Sequence, residues 1–197
     1  MKFGGSVSME GDTAVIGAPW DGVSTRIGTA YIFTRSGGVW TEQAKLTASA
    51  GAIHEYFGES LSLSGDTVIV GARGDAEGGT DAGAAYVFTR SGNTWSQQVK
   101  LTANDGAEGD LFGIRVTLSG DTAVIGAARE DGKGEDSGAA YVFVRSGSTW
   151  GQQAKLSAAD GAANDRFGTR VALCGNSAVI GSILDDAMSE NSGSTYL

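Results

Sequence analysis

The sequence predicts an all-β chain built of β-propeller blades, and three observations carry that expectation. A unit of 55 residues recurs along the 197-residue chain. Each unit holds four short stretches of strand length that are apolar or alternate with period two. No segment joins a helix cap to apolar residues at helical spacing. Four antiparallel strands repeated in this way make a propeller blade, because such a sheet has two apolar faces and needs a neighbour on each.

The units open with FGGSVSMEGDTAVIGA at 3–18, FGESLSLSGDTVIVGA at 57–72, FGIRVTLSGDTAVIGA at 112–127 and FGTRVALCGNSAVIGS at 167–182. They divide the chain, as a single array, into 3–56, 57–111, 112–166 and a partial 167–197. The first strand falls on Ser6–Met9, Leu61–Leu63, Val116–Leu118 and Val171–Leu173. A tight Gly-Asp turn, Gly-Asn in the last unit, leads to the second strand. That strand, TVIVGA in the second unit, is a nearly continuous apolar run suited to burial on both faces. The third, AYVFTR, alternates small and aromatic residues and ends in an Arg-Ser-Gly turn. The fourth, WSQQVKL at 95–101, breaks strict alternation, so its inward face stays undecided. Lys45, Lys100 and Lys155 recur on this strand, the outermost of the blade. Lysine there discourages pairing with another chain, and a solvated position predicts the same residue.

Composition excludes several classes. The chain has 32 glycines but one proline, and glycine does not recur at every third position, so it is not collagen. With 41% hydrophobic residues in regular short runs it is not disordered. One cysteine cannot build a disulfide scaffold. No stretch approaches the length of a membrane-spanning helix, and MKFGGSVSMEG lacks the apolar core of a signal peptide. A net charge of −9 argues against nucleic acid as a partner.

The blocks FG-x-x-V/L, GDTAVIGA and GAAYVF resemble the FG-GAP repeat of integrin α-subunit propellers, in its shorter bacterial form. The resemblance spans the whole chain, four times over. It implies a propeller, typically seven-bladed, in extracellular or surface proteins that bind partners. Two features depart from the family pattern. The letters GAP stand only at Gly17-Ala18-Pro19, the other units reading GAR, GAA and GSI. The calcium loop of integrin repeats, Asp-x-Asp-x-Asp-Gly between the first two strands, is replaced by short turns such as Ser64-Gly65-Asp66-Thr67, so that metal site does not carry over.

Alternating strand direction sorts the connections into two ends. The 1–2 and 3–4 turns share one, with Asp12, Asp66 and Asp121 beside Arg35, Arg90 and Arg145, read as turn formers and weak pairs. The 2–3 and 4–1 loops share the other, which is variable and acidic. Hard cations want several oxygen ligands in flexible loops. The candidate calcium ligands are therefore Asp75, Asp81, Asp105, Asp110, Asp131, Asp136, Asp160 and Asp165, with Ca²⁺ the candidate cofactor. The competing reading has these acids capping turns and remaining solvated, so that losing Asp75 or Asp131 costs roughly half a kcal/mol or less. Trp20, which has no counterpart in later units, and Asp21 are candidate contacts for a protein or carbohydrate ligand. Trp40, Trp95 and Trp150 recur at one place per unit and read as packing between blades. Arg73-Gly74-Asp75 spells a cell-attachment tripeptide, read here as coincidence in a glycine-rich acidic chain. Cys174 aligns with Ser64 and Ser119, and His54 with Gly109 and Asn164, so neither reads as catalytic.

No phosphate-binding loop, nucleophile elbow, zinc motif or paired cysteines appear. The expected function is a non-enzymatic binding or adhesion module of a secreted or surface protein. The alternative is an accessory propeller of a secreted hydrolase whose chemistry lies elsewhere. Closed propellers have four to eight blades, and these residues supply three and part of a fourth. The expectation is therefore an incomplete ring, either part of a longer chain or two copies joined through exposed terminal blades.

Overall fold

Each Gly-Asp turn reverses the chain within two residues, because glycine takes up left-handed backbone there, as at Gly65 with φ of 54°. The resulting hairpins set the architecture seen in a computed structural model, which describes residues 2–22, 25–49 and 51–197. The first sheet holds β1 (Ser6–Glu10), β2 (Thr13–Ala18), β3 (Thr29–Ser36) and β4 (Val39–Leu46). The second holds β5 (Ser60–Ser64), β6 (Thr67–Ala72), β7 (Ala84–Ser91) and β8 (Thr94–Leu101). The third holds β9 (Phe112–Ser119), β10 (Thr122–Ala127), β11 (Ala139–Ser146) and β12 (Thr149–Leu156). The fourth holds β13 (Phe167–Cys174), β14 (Ser177–Ser182) and β15 (Ser194–Tyr196). Every sheet is an antiparallel meander in chain order. The chain is thus all-β and blade-like, an open series of four sheets.

The undecided fourth strand has a physical answer. The ladder between β7 and β8 slips between Val87 and Phe88, leaving Gln98 without a partner of its own. Gln43 and Gln153 hold the same place in the first and third sheets. Such a bulge shifts the alternation of facing, so no single period fits the strand.

The core lies between sheets rather than within one. Val15, Ile32 and Leu46 of the first sheet pack with Phe57, Val68, Val70, Tyr86 and Phe88 of the second. Ile69, Val87 and Leu101 of the second pack with Phe112, Ile125, Tyr141 and Phe143 of the third. Consecutive residues of β6 therefore serve opposite interfaces, which explains its unbroken apolar run.

The repeated glycines close these interfaces. A Cβ placed on Gly71 would lie 2.0 Å from the carbonyl oxygen of Gly113 in the next blade. Gly17 meets Gly58 and Gly126 meets Gly168 at the same distance. Gly113 has φ of +86°, and a Cβ there would sit 2.2 Å from the Ala84 carbonyl oxygen. Backbone packs on backbone, so the GA glycine of one blade and the FG glycine of the next form one joint.

Polar side chains fasten the same joints. Ser60, Ser62 and Ser64 accept hydrogen bonds from the N–H groups of Val116, Leu118 and Gly120 at 2.9–3.1 Å. Trp95 Nε1 donates to Gln43 at 2.9 Å and Trp150 Nε1 to Gln98 at 3.1 Å, so the bulged glutamine of one blade receives the indole of the next. Arg90 reaches Asp66 in its own blade and Thr13 in the preceding one, and Arg145 repeats this with Asp121 and Thr67.

Candidate functional site

The 2–3 and 4–1 loops gather at one end, as expected, and their backbones pair. Leu111 N–H donates to Asp81 O and Phe112 N–H to Ala82 O, with equivalents at Arg166 to Asp136 and Phe167 to Ser137. Tyr56, Leu111 and Arg166, each just before an FG pair, take up left-handed backbone at φ 56–58°. The scaffold holds these bulky residues in a conformation they disfavour.

The acid that follows each second strand is the centre of a recurring cluster. Asp75, only 2% exposed, accepts hydrogen bonds from the Tyr86 hydroxyl and from Lys100 Nζ, both at 2.8 Å. In the first blade Asp21 takes Tyr31 and Lys45 in the same way, both at 3.2 Å. In the third, Lys155 bridges Glu130 at 2.8 Å and Asp105 at 2.6 Å. In the fourth, the Tyr196 hydroxyl lies 2.9 Å from both Asp160 and Asp185. Burial alone would lower Lys100 and Lys155, yet their carboxylate partners hold both above the ordinary lysine value. Burial, followed by the neighbouring Asp75, pushes the Tyr86 phenol far up. In the first two blades acid, tyrosine and lysine point their polar atoms at one another, tying the third and fourth strands to the loop, whereas the Tyr141 hydroxyl of the third is buried without a hydrogen-bond partner.

This corrects two expectations. Asp75 is not a solvated turn cap: it is buried and satisfied, so its removal strands the Tyr86 hydroxyl and leaves Lys100 with Glu77 alone. The lysines do lie on the outermost strand, but Lys45, Lys100 and Lys155 turn back across the third strand to reach an acid. Both signals recurred at the repeat spacing, and only the three-dimensional register joins them.

A second layer of acids lies beneath. Asp110 and Asp165 accept the N–H of Ala107 and Ala162 at 2.8 and 2.7 Å. Glu55 does the same with Ala52 at 2.8 Å, while its Oε2 is buried without a partner. Burial pushes the Glu55 carboxyl up, and Asp75 adds to the shift. Asp110 is likewise raised by burial, with Glu130 contributing.

The eight candidate calcium ligands are divided among these roles and are not drawn to one point. Asp131 accepts the Asp136 N–H, Asp136 pairs with Arg129 and Arg166, and Asp81 offers its carbonyl to Leu111. Among the described residues, no three His, Cys, Asp or Glu side chains form a group able to hold a metal ion. The Trp20 ring is covered by Lys2, whose ammonium is 3.6 Å from its centroid, and flanked by Arg26 at 4.8 Å. In Arg73-Gly74-Asp75, Arg73 pairs with Glu59 and the aspartate is buried, so the tripeptide is not displayed. Cys174 is exposed and free at the end of β13, just before the turn to β14.

Four antiparallel sheets, joined face to face through glycine and with one variable loop end, define a propeller-type repeat protein. The chain belongs to the FG-GAP repeat family, whose model matches residues 1–33, 40–88, 95–143 and 150–197. The last three matched units run from the tryptophan strand of one blade into the third strand of the next, so each of these spans a blade joint. A comparison with curated proteins finds no match.

Proposed function

We propose that the chain is a non-catalytic binding module, part of an extracellular or surface protein, whose partner-contacting surface is the end formed by the 2–3 and 4–1 loops. The observation that supports this most is the distribution of sequence variation around a fixed scaffold. The opposite end repeats the same Asp–Arg pair in the first three blades. The loop end keeps its central acid and tyrosine while most of its other loop residues differ between blades, which is where binding residues sit on rigid scaffolds. Glu77, Asp105, Asp131, Glu135, Asp160 and Asp186 are exposed there, giving a surface suited to basic or polar partners. Membership of a family typical of extracellular proteins supports the location.

The test is an array of immobilised matrix proteins and glycans probed with three forms of the chain. One is wild type, one carries Glu77→Lys, Asp131→Lys and Asp186→Lys, and one carries Asp12→Lys, Asp66→Lys and Asp121→Lys. Ligands retained by wild type should be lost by the loop-end variant and kept by the hairpin-end variant. Retention by the loop-end variant, or loss only with the hairpin-end variant, overturns the assignment.

A further inference from the structure

Residues that build a joint between repeats must recur, whereas residues that depart from their counterparts are free to serve something else. Five arginines depart in this way. Arg73 replaces Pro19, Ala128 and Ile183 of the other units; Arg129 stands opposite Gly74; Arg166 takes the place of Tyr56 and Leu111; Arg115 and Arg170 stand where Ser6 and Ser60 do. The fold brings Arg73, Arg129 and Arg166, from three different loops, to the wall of one cavity of about 320 Å³ at the loop end. Ile114 and Ile183 give the cavity an apolar side.

The charges there do not balance. Arg73 Nε donates to Glu59 at 2.7 Å. Arg129 and Arg166 share a single carboxylate, Asp136, at 3.7 and 3.4 Å. The Nε of Arg166 is buried without a hydrogen-bond partner. Beside the cavity, Arg115 donates among the described residues only to the Ile114 carbonyl, at 2.6 Å. Arg115 and Arg170 form no ion pair among the described residues. Burial, and then the Arg170 guanidinium, hold Arg115 below its ordinary value. The three guanidiniums on the wall thus face two carboxylates, Glu59 and Asp136, in a chain whose net charge is −9.

We propose that this cavity is a binding site for a small oxyanion-bearing molecule, a carboxylate or phosphate with an apolar body, held by Arg73, Arg129 and Arg166. Planar guanidinium groups match both oxyanions through paired hydrogen bonds, and the volume falls in the range of small-molecule sites. The inference is independent of the loop-end partner surface, which is carried by exposed acids.

Isothermal calorimetry at low ionic strength tests it, with citrate and pyrophosphate as probes. At least one should bind saturably, raise the melting temperature and weaken with added salt. Arg129→Gln and Arg166→Gln should each lower its affinity by about tenfold. Arg35→Gln, at the hairpin end, should leave it unchanged. Circular dichroism establishes that each variant is folded, and Arg129, exposed and outside the blade joints, carries the test if the Arg166 variant is not. Absence of saturable heat with both probes, or equal affinity in wild type and the Arg129 variant, overturns the proposal.

Discussion

The joints between neighbouring blades and the outer sides of the first and fourth are made from the same residues in different company. Inside the stack Trp95 and Trp150 are 9% and 8% exposed, while Trp40, against which none of the described sheets packs in this way, is 39% exposed. Leu61 and Leu63 are buried, yet Val7 and Met9 at the same places are 70% and 68% exposed. Gly126 would drive a Cβ into the Gly168 carbonyl at 2.0 Å, whereas a Cβ on Gly181 finds nothing nearer than the Arg170 Cβ at 3.3 Å. Groups within one blade, such as the Asp–Arg turn pair, are formed in the first blade as in the third. The repeated letters are therefore of two kinds: some fold a blade, and others prepare it for a neighbour.

Substitutions can break that distinction, beginning with the severest. Gly71→Leu should abolish cooperative folding, because its side chain has only the backbone of the next blade to enter; a loss beyond about 4 kcal/mol by thermal unfolding is expected. Asp75→Ala should cost about 2 kcal/mol by leaving the Tyr86 hydroxyl buried without its acceptor and Lys100 with Glu77 alone. Asp131→Ala, an exposed acid on the same face, should change stability by about 0.5 kcal/mol or less. Equal melting temperatures for these two variants would show that the buried cluster contributes nothing to stability. Trp95→Phe should cost about 1–2 kcal/mol through the lost indole hydrogen bond to Gln43 and lost volume. Trp40→Phe should be close to neutral, since none of the described sheets packs against that ring in this way.

Glu55 gives the smallest effect and the one with a pH signature. Below the ordinary glutamate value of 4.5 the folded and unfolded chains both hold its proton. Above it the unfolded chain releases the proton first, because burial raises the folded value, so this group's contribution falls as pH rises through that interval. Glu55→Gln keeps an acceptor for Ala52 and removes the titration. Its stability relative to wild type should rise with pH just above 4.5 and then level off. A difference independent of pH would mean that Glu55 does not titrate in this way.

Much of the blade was legible in the sequence, because a blade is built from local signals. Gly-Asp turns, period-two aromatics and a doubly apolar strand each state their own structure. The joint was legible only in outline. Gly71 announces a close approach, but not that the approaching group is the carbonyl of Gly113, 42 residues later. Ser60, Ser62 and Ser64 alternate visibly, yet their role as acceptors for the next blade depends on how the two sheets align. At the loop end, acids and lysines were visible as separate series, and their closure into one cluster needed the register of three strands. The arginine cavity gave no periodic signal, since it is made of departures from the repeat.

The central claim is that the GA glycine serves the neighbouring blade and not its own. Thermal unfolding of Gly126→Ala and Gly181→Ala tests it most directly, because the two glycines hold the same place in the motif and differ only in what lies opposite. The account predicts a large loss of melting temperature for Gly126→Ala, where a methyl group would overlap the Gly168 carbonyl, and little change for Gly181→Ala. Equal losses in the two variants would contradict it.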